Sequence, residues 1–318
     1  MFTRAPRVLP RRRKPRPSAS KTSSAFCSIS DGFIRGLLLI RDRAPQKAFQ
    51  HLETLTTPRY KHFMLHTVEF GAEHGGTPLL IAHGLFGSAR NWGVIAKRLA
   101  DTRRVITVDM RNHGSSPFDP AHSYPDLADD LAEVIRATGG CADVLGHSMG
   151  GKAAMMLALA HPELLRKLIV ADIAPVGYGH TQTPLIDAME TLDLSMITSR
   201  QDADAALTAS VPEAGVRAFL LQSLDLRTGP KAWRLNHTAL RTHMDAIIGF
   251  PETADQSFPG PTFFLSGAAS DYLRPEHRPL IKSLFPAARF AKIPGAGHWL
   301  HADKPREFEA AVRVFLDV

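Results

Sequence analysis

The stretch Gly146-His147-Ser148-Met149-Gly150 constrains this chain more than any other. It follows a mostly apolar run, Cys141 to Leu145, and opens an Ala-, Met- and Leu-rich segment through Ala160 that reads as a helix. A serine flanked by glycines at a strand-to-helix turn is the pattern of a nucleophile elbow. Such a turn is sharp and strained, and glycine fits beside the serine because it has no Cβ. The strain holds the hydroxyl up, away from the backbone and into a cleft. The same five residues also describe an ordinary Gly-rich turn with a surface serine, so the surroundings must decide.

The surroundings alternate. Apolar runs predict strands at Phe63–Phe70, Pro78–Ala82, Arg104–Asp109, Ala142–Leu145, Lys167–Asp172, Thr262–Ser266 and Arg289–Ile293. Helical patterns fall between or after them at Trp92–Ala100, Tyr124–Ala137, Met149–Ala160, Glu276–Phe285 and Pro305–Leu316. Strands buried on both faces and separated by helices predict a mostly parallel sheet flanked by helices. Ligands in such sheets bind at the carboxyl ends of the strands. The rhythm breaks between Val176 and Gly260, where Asp202–Ala209, Val216–Leu224 and Leu240–Ile248 look helical and no strand is convincing. This reads as a helical cap, residues 176–260, inserted before the penultimate core strand, with the core in 63–175 and 261–318.

The 318 residues, 44% of them hydrophobic, support one large domain with an inserted subdomain. The formal charge of +7 is unevenly placed. Residues 1–62 hold 14 Lys and Arg against 3 Asp and Glu, so the remainder is mildly acidic. The basic character therefore argues for no nucleic-acid or membrane partner of the folded part. The segment, with Arg11-Arg12-Arg13-Lys14 and Pro/Ser-rich sequence, reads as a basic disordered arm, an organelle-targeting segment or an over-extended start before Met64. Leu37-Leu38-Leu39-Ile40 is far short of the roughly 20 apolar residues of a membrane span. Cys27 and Cys141 have no metal or redox spacing, so a cytoplasmic chain without metal or cofactor is expected.

Acyl transfer needs a nucleophile, a base, an orienting carboxylate and an oxyanion hole. Ser148 is the candidate nucleophile. In a sheet of this kind the base comes last, and His298 in Gly295-Ala296-Gly297-His298-Trp299 lies between the last predicted strand and the last helix. The turn His83-Gly84-Leu85-Phe86-Gly87-Ser88 follows the second strand and offers backbone N–H groups. The oxyanion hole is then the N–H of Met149 plus that of Leu85, with Phe86 the alternative. Because the donors are backbone, the side chains of this turn are expected to carry no information. Two carboxylates compete for the acid. The usual place after the post-cap strand, spaced G-x-x-D, holds Gly267-Ala268-Ala269-Ser270, and Asp271 is one residue late. Asp172 ends the apolar run Leu168-Ile169-Val170 beside the nucleophile's strand and is preferred, with Ser270 as an auxiliary hydrogen-bond partner of the His298–Asp172 pair. His113, alone in Arg111-Asn112-His113-Gly114, reads as loop-structuring.

Together these stretches, with Val108-Asp109-Met110, Gly146 through Lys152, Asp172-Ile173-Ala174-Pro175-Val176 and Gly297 through Ala302, resemble the α/β-hydrolase superfamily. Within it they resemble small bacterial esterases related to a mitochondrial α/β-hydrolase-domain protein. The resemblance covers residue 64 to the end. It implies an α/β-hydrolase fold and a serine hydrolase, but it does not extend to substrate choice; cleavage of small-molecule carboxylic esters of short to medium acyl length, or of thioesters, is the expectation from the site residues. It also implies Ser148 and His298 as nucleophile and base, an acid at Asp172, and a serine where Ser270 stands. Carbon–carbon bond hydrolysis or acyl transfer on the same residues, and a catalytically dead binding module, are the alternatives.

Overall fold

The computed structural model describes residues 64–318 except Ala254. The basic segment 1–62, its expected readings and Cys27 lie outside the described residues. A seven-stranded sheet organises the rest. Its strands are β1 (Thr67–Phe70), β2 (Leu79–Ala82), β3 (Val105–Val108), β4 (Ala142–His147), β5 (Leu165–Ala171), β8 (Thr262–Gly267) and β9 (Ala288–Ile293), in the order β1-β3-β2-β4-β5-β8-β9. All neighbours pair in parallel except β1 with β3.

Alternation along the strands splits the core into two layers, because successive side chains point to opposite faces. Leu80, Ala82, Val144, Val170 and Phe264 face one layer. There they meet helices α2 (Tyr124–Thr138) and α3 (Met149–Ala160) through Leu127, Leu131, Ala153 and Leu157. Leu79, Ile81, Leu145, Ile169 and Leu265 face the other. There they meet α1 (Gly93–Leu99) and α11 (Pro305–Asp317) through Ile95, Leu99, Phe308 and Val312. Helix α2 starts where Ser123 caps it: the Asp126 N–H donates to Ser123 Oγ, and Pro125 sits in the first turn, where a missing N–H costs nothing.

Between β5 and β8 lie α4 (Thr183–Thr191), α5 (Arg200–Leu207), α6 (Ala214–Leu220), α7 (His237–Thr242) and α8 (Met244–Ile248). This helical cap precedes the penultimate strand of the sheet. Three details differ from the sequence reading, the first being α4 itself, which falls where no helix was expected. A small antiparallel hairpin, β6 (Leu224–Asp225) with β7 (Ala232–Trp233), interrupts the helices where no strand was expected. The run Leu240–Ile248 is also two helices rather than one, broken at His243. After β8 come α9 (Arg278–Leu284) and, beyond β9, the short α10 (Leu300–Asp303). No helix among the described residues is long and apolar enough to cross a membrane.

Candidate active site

Ser148 stands at the junction of β4 and α3 with φ 53° and ψ −120°, a left-handed geometry that costs a non-glycine residue of order 1–3 kcal/mol. Its glycine neighbours are steric requirements. A Cβ on Gly146 would lie 2.2 Å from the Gly150 carbonyl oxygen, and one on Gly150 would lie 2.5 Å from the carbonyl oxygens of Ala82 and His83. The nucleophile helix thus starts pressed against the ends of β2 and β4. The Ser148 N–H donates to Ala171 O (3.1 Å), which ties the turn to β5.

Three side chains from three strand ends converge. His298, in the loop between β9 and α10, has Nε2 3.1 Å from Ser148 Oγ and Nδ1 2.8 Å from Asp172 Oδ2. Asp172 follows β5 directly, with φ 52°, and is fully buried. The Gly267 N–H donates to its Oδ1 (2.9 Å), and the Ser270 hydroxyl donates to its Oδ2. Every carboxylate oxygen therefore has a donor, as burying a charge requires. Because Nδ1–H faces the carboxylate, Nε2 is left to accept from the serine. The competing carboxylate, Asp271, is exposed; its backbone carbonyl accepts from Arg274 Nε (3.1 Å). Of the two sequence candidates, only Asp172 meets His298.

The turn after β2 closes with Gly87 N–H donating to Gly84 O (3.0 Å) and with Phe86 at φ 63°, the sign a type II turn demands at its third position. The Phe86 N–H donates to His113 Nε2 (3.2 Å), which removes it as an oxyanion donor. Leu85 and Met149 line the cavity beside Ser148, and no hydrogen bond among the described residues engages their N–H groups. Met149 opens α3, where the first N–H groups have no intrahelical partner and the helix dipole is positive.

The side chains of this turn do carry information, contrary to expectation. His83 Nδ1–H donates to Gly84 O (2.8 Å), so its Nε2 accepts from Met110 N–H (2.9 Å). His113 Nδ1–H donates to Arg111 O (2.8 Å), freeing Nε2 for Phe86. Burial pushes His83 down to about 4 and His113 down to about 3, so both stay neutral and keep these tautomers. Asp109 completes the frame by accepting from the N–H groups of Ala89 (2.7 Å) and Ser115 (2.8 Å). From the cap side, Ser223 Oγ donates to Phe86 O (2.8 Å).

A model of the alpha/beta hydrolase family matches residues 79–311. The chain belongs to this family. It is 43% identical over 247 residues to sn-1-specific diacylglycerol lipase ABHD11 of Mus musculus, covering 75% of this chain and 80% of that protein. It is 37% identical over 247 residues to esterase YbfF of Escherichia coli strain K12, covering 77% and 95%. A solved marine microorganism esterase superposes with a TM-score of 0.75 at 37% identity, covering 80% of this chain and 99% of that one.

In this α/β hydrolase the cavity over Ser148 measures about 280 Å³. Core residues Leu85, Met149 and Ile173 face cap residues Leu185, Val216, Phe219, Ile247 and Ile248 across it. Sequence reasoning missed three residues of this α/β hydrolase's site. His147, the second residue of the elbow, has Nε2–H donating to the His298 carbonyl (2.9 Å), and burial holds its pKa well below 6.5. The Tyr272 ring stacks on the His298 ring with centroids 4.1 Å apart. Lys152, one turn after Ser148, lines the cavity. A polar residue inside an apolar helix was the only sequence signal for it.

Proposed function

We propose that the chain is a serine esterase acting on small-molecule carboxylic esters by an acyl-enzyme route. The observation that carries the reading is the hydrogen-bonded series Ser148 Oγ, His298, Asp172 at the floor of an apolar cavity. Ser148 attacks the ester carbonyl as His298 Nε2 takes its proton. The N–H groups of Leu85 and Met149 receive the developing oxyanion. Asp172, held by Gly267 and Ser270, fixes the His298 tautomer and balances the imidazolium charge. His298 returns the proton to the leaving alcohol, and water then frees the acid by the same steps in reverse. The relatives named as esterases and lipases support this chemistry, and the cavity suits acyl groups of short to medium length. A cytoplasmic site of action, without metal or cofactor, completes the reading.

The test is Ser148→Ala with a p-nitrophenyl short-chain ester and a fluorophosphonate label. We expect turnover to fall on the order of 10⁴-fold or more and labelling to vanish. Undiminished hydrolysis in that variant would sink the assignment.

A further inference from the structure

Lys152 lines the cavity wall, and ester hydrolysis does not use its amine. It lies four residues beyond Ser148 on α3, about 6 Å along the helix axis. Its side chain is 1% exposed, yet it lines the cavity. Nζ donates to Ile248 O (2.9 Å) and Gly249 O (2.5 Å), where α8 ends and the helix dipole favours a cation. Its third hydrogen meets no oxygen or nitrogen acceptor among the described residues; the Tyr178 ring lies beside it, 4.7 Å from Nζ to the centroid. No carboxylate among the described residues lies within ion-pair distance. Holding the cap would need only two donors, which an uncharged amide also supplies. A buried ammonium without a counter-ion is costly, and burial alone pushes this one down to about 7. A substrate carboxylate would supply both the missing charge and the third acceptor, in a setting where opposite charges attract more strongly than in water.

We infer that the cavity takes an acyl chain ending in a carboxylate, which Lys152 binds, so that the preferred substrates are half-esters of short dicarboxylic acids. This rests on the esterase reading and names its substrate class. Ser148 Oγ replaces the alkoxy oxygen at the ester carbonyl, and the alcohol leaves with the proton carried by His298. Water then releases the diacid and restores Ser148, while the distal carboxylate stays on Lys152 throughout.

The experiment compares methylumbelliferyl half-esters of succinate, glutarate and adipate with the butyrate, pentanoate and hexanoate esters, using the full chain. At pH 6.5 the kcat/KM ratio of diacid to alkanoate at the best length should be about 10-fold, the equivalent of about 1.4 kcal/mol. It should fall towards one by pH 8.5 as Lys152 loses its proton. Lys152→Met should bring the ratio to one or below at every pH. The other groups facing Lys152 do not confuse this result. Tyr124 and Tyr178 are phenols driven above 10 by burial, and His298 serves both ester series and cancels. His180, at the exposed rim, is tested by His180→Gln, which should keep the ratio and its pH dependence. Alkanoates matched with or preferred to diacids at all lengths would overturn the inference and leave the esterase intact, as would a ratio unmoved by Lys152→Met. Should that variant fail to fold, Lys152→Gln, which keeps a donor without the charge, takes its place and should likewise bring the ratio to one or below, an unmoved ratio overturning the inference. Hydrolysis of neither series would overturn both readings.

Discussion

Behind the oxyanion turn, His83 and His113 lie edge to face with ring centroids 5.1 Å apart, and their ring nitrogens meet only backbone carbonyls and N–H groups. Around Ser148, His147, His298 and His301 gather as tightly, with His147 4.8 Å from His298 and 4.9 Å from His301. The two nests differ in a carboxylate and in exposure, since His298 is half-buried and the others are buried. His83 and His113 are desolvated and stay neutral, and so do His147 and His301, the latter pushed down to about 3. His298 alone rests on Asp172, so a positive charge formed there has a partner. An imidazole buried without an anion is a fixed strut; one that reaches the cavity and rests on an anion can take a proton.

The sharpest way to break this contrast is to neutralise the carboxylate. Asp172→Asn should lower kcat by about 10⁴-fold, because an amide stabilises the wrong tautomer and no imidazolium. Asp271→Asn, on the exposed loop, should stay near wild type. Steady-state kinetics on both variants decide, and the reverse pattern would make Asp271 the acid. A smaller effect is expected from a strut. His147→Phe keeps a ring but loses the donor to His298 O, loosening the base without removing it. We expect kcat to fall about 10- to 100-fold with little change in KM. An unchanged kcat would show that the loop holds itself.

The smallest effect concerns stability. His83 and His113 have folded pKa values below their unfolded ones, so below pH 6.5 the unfolded chain binds more protons than the folded one. Their contribution is complete above pH 6.5 and is lost as pH falls. Each should cost roughly 1 kcal/mol per pH unit between 6.5 and 5. Urea unfolding at several pH values should show a slope that His83→Gln makes shallower. An equal slope in the variant would mean the pH dependence lies elsewhere.

Much of this site was legible in the sequence, because strand ends and glycines announce it. Met149–Ala160 was bounded correctly as a helix, and the triad candidates sat at the ends of apolar runs. Asp172 stood out because a carboxylate that ends Leu168-Ile169-Val170 needs a reason. What stayed hidden depends on distant segments. Lys152 reads as one polar residue in a helix until the end of α8, almost a hundred residues later, supplies its carbonyl partners. The hairpin of β6 and β7 has two residues per strand, too few for a period to show. The histidine struts are invisible because one partner of each is a backbone N–H of another loop.

Strand β9 pairs only with β8, at the rim of the sheet, and the loop that follows it carries His298. The proposed nucleophile and acid follow the interior strands β4 and β5, whereas the proposed base hangs from the margin. Margins open at lower free energy than interiors. On gentle warming, turnover should therefore fade while the bulk of the molecule is still intact, which makes hydrolysis a gauge of one strand's grip rather than of global integrity.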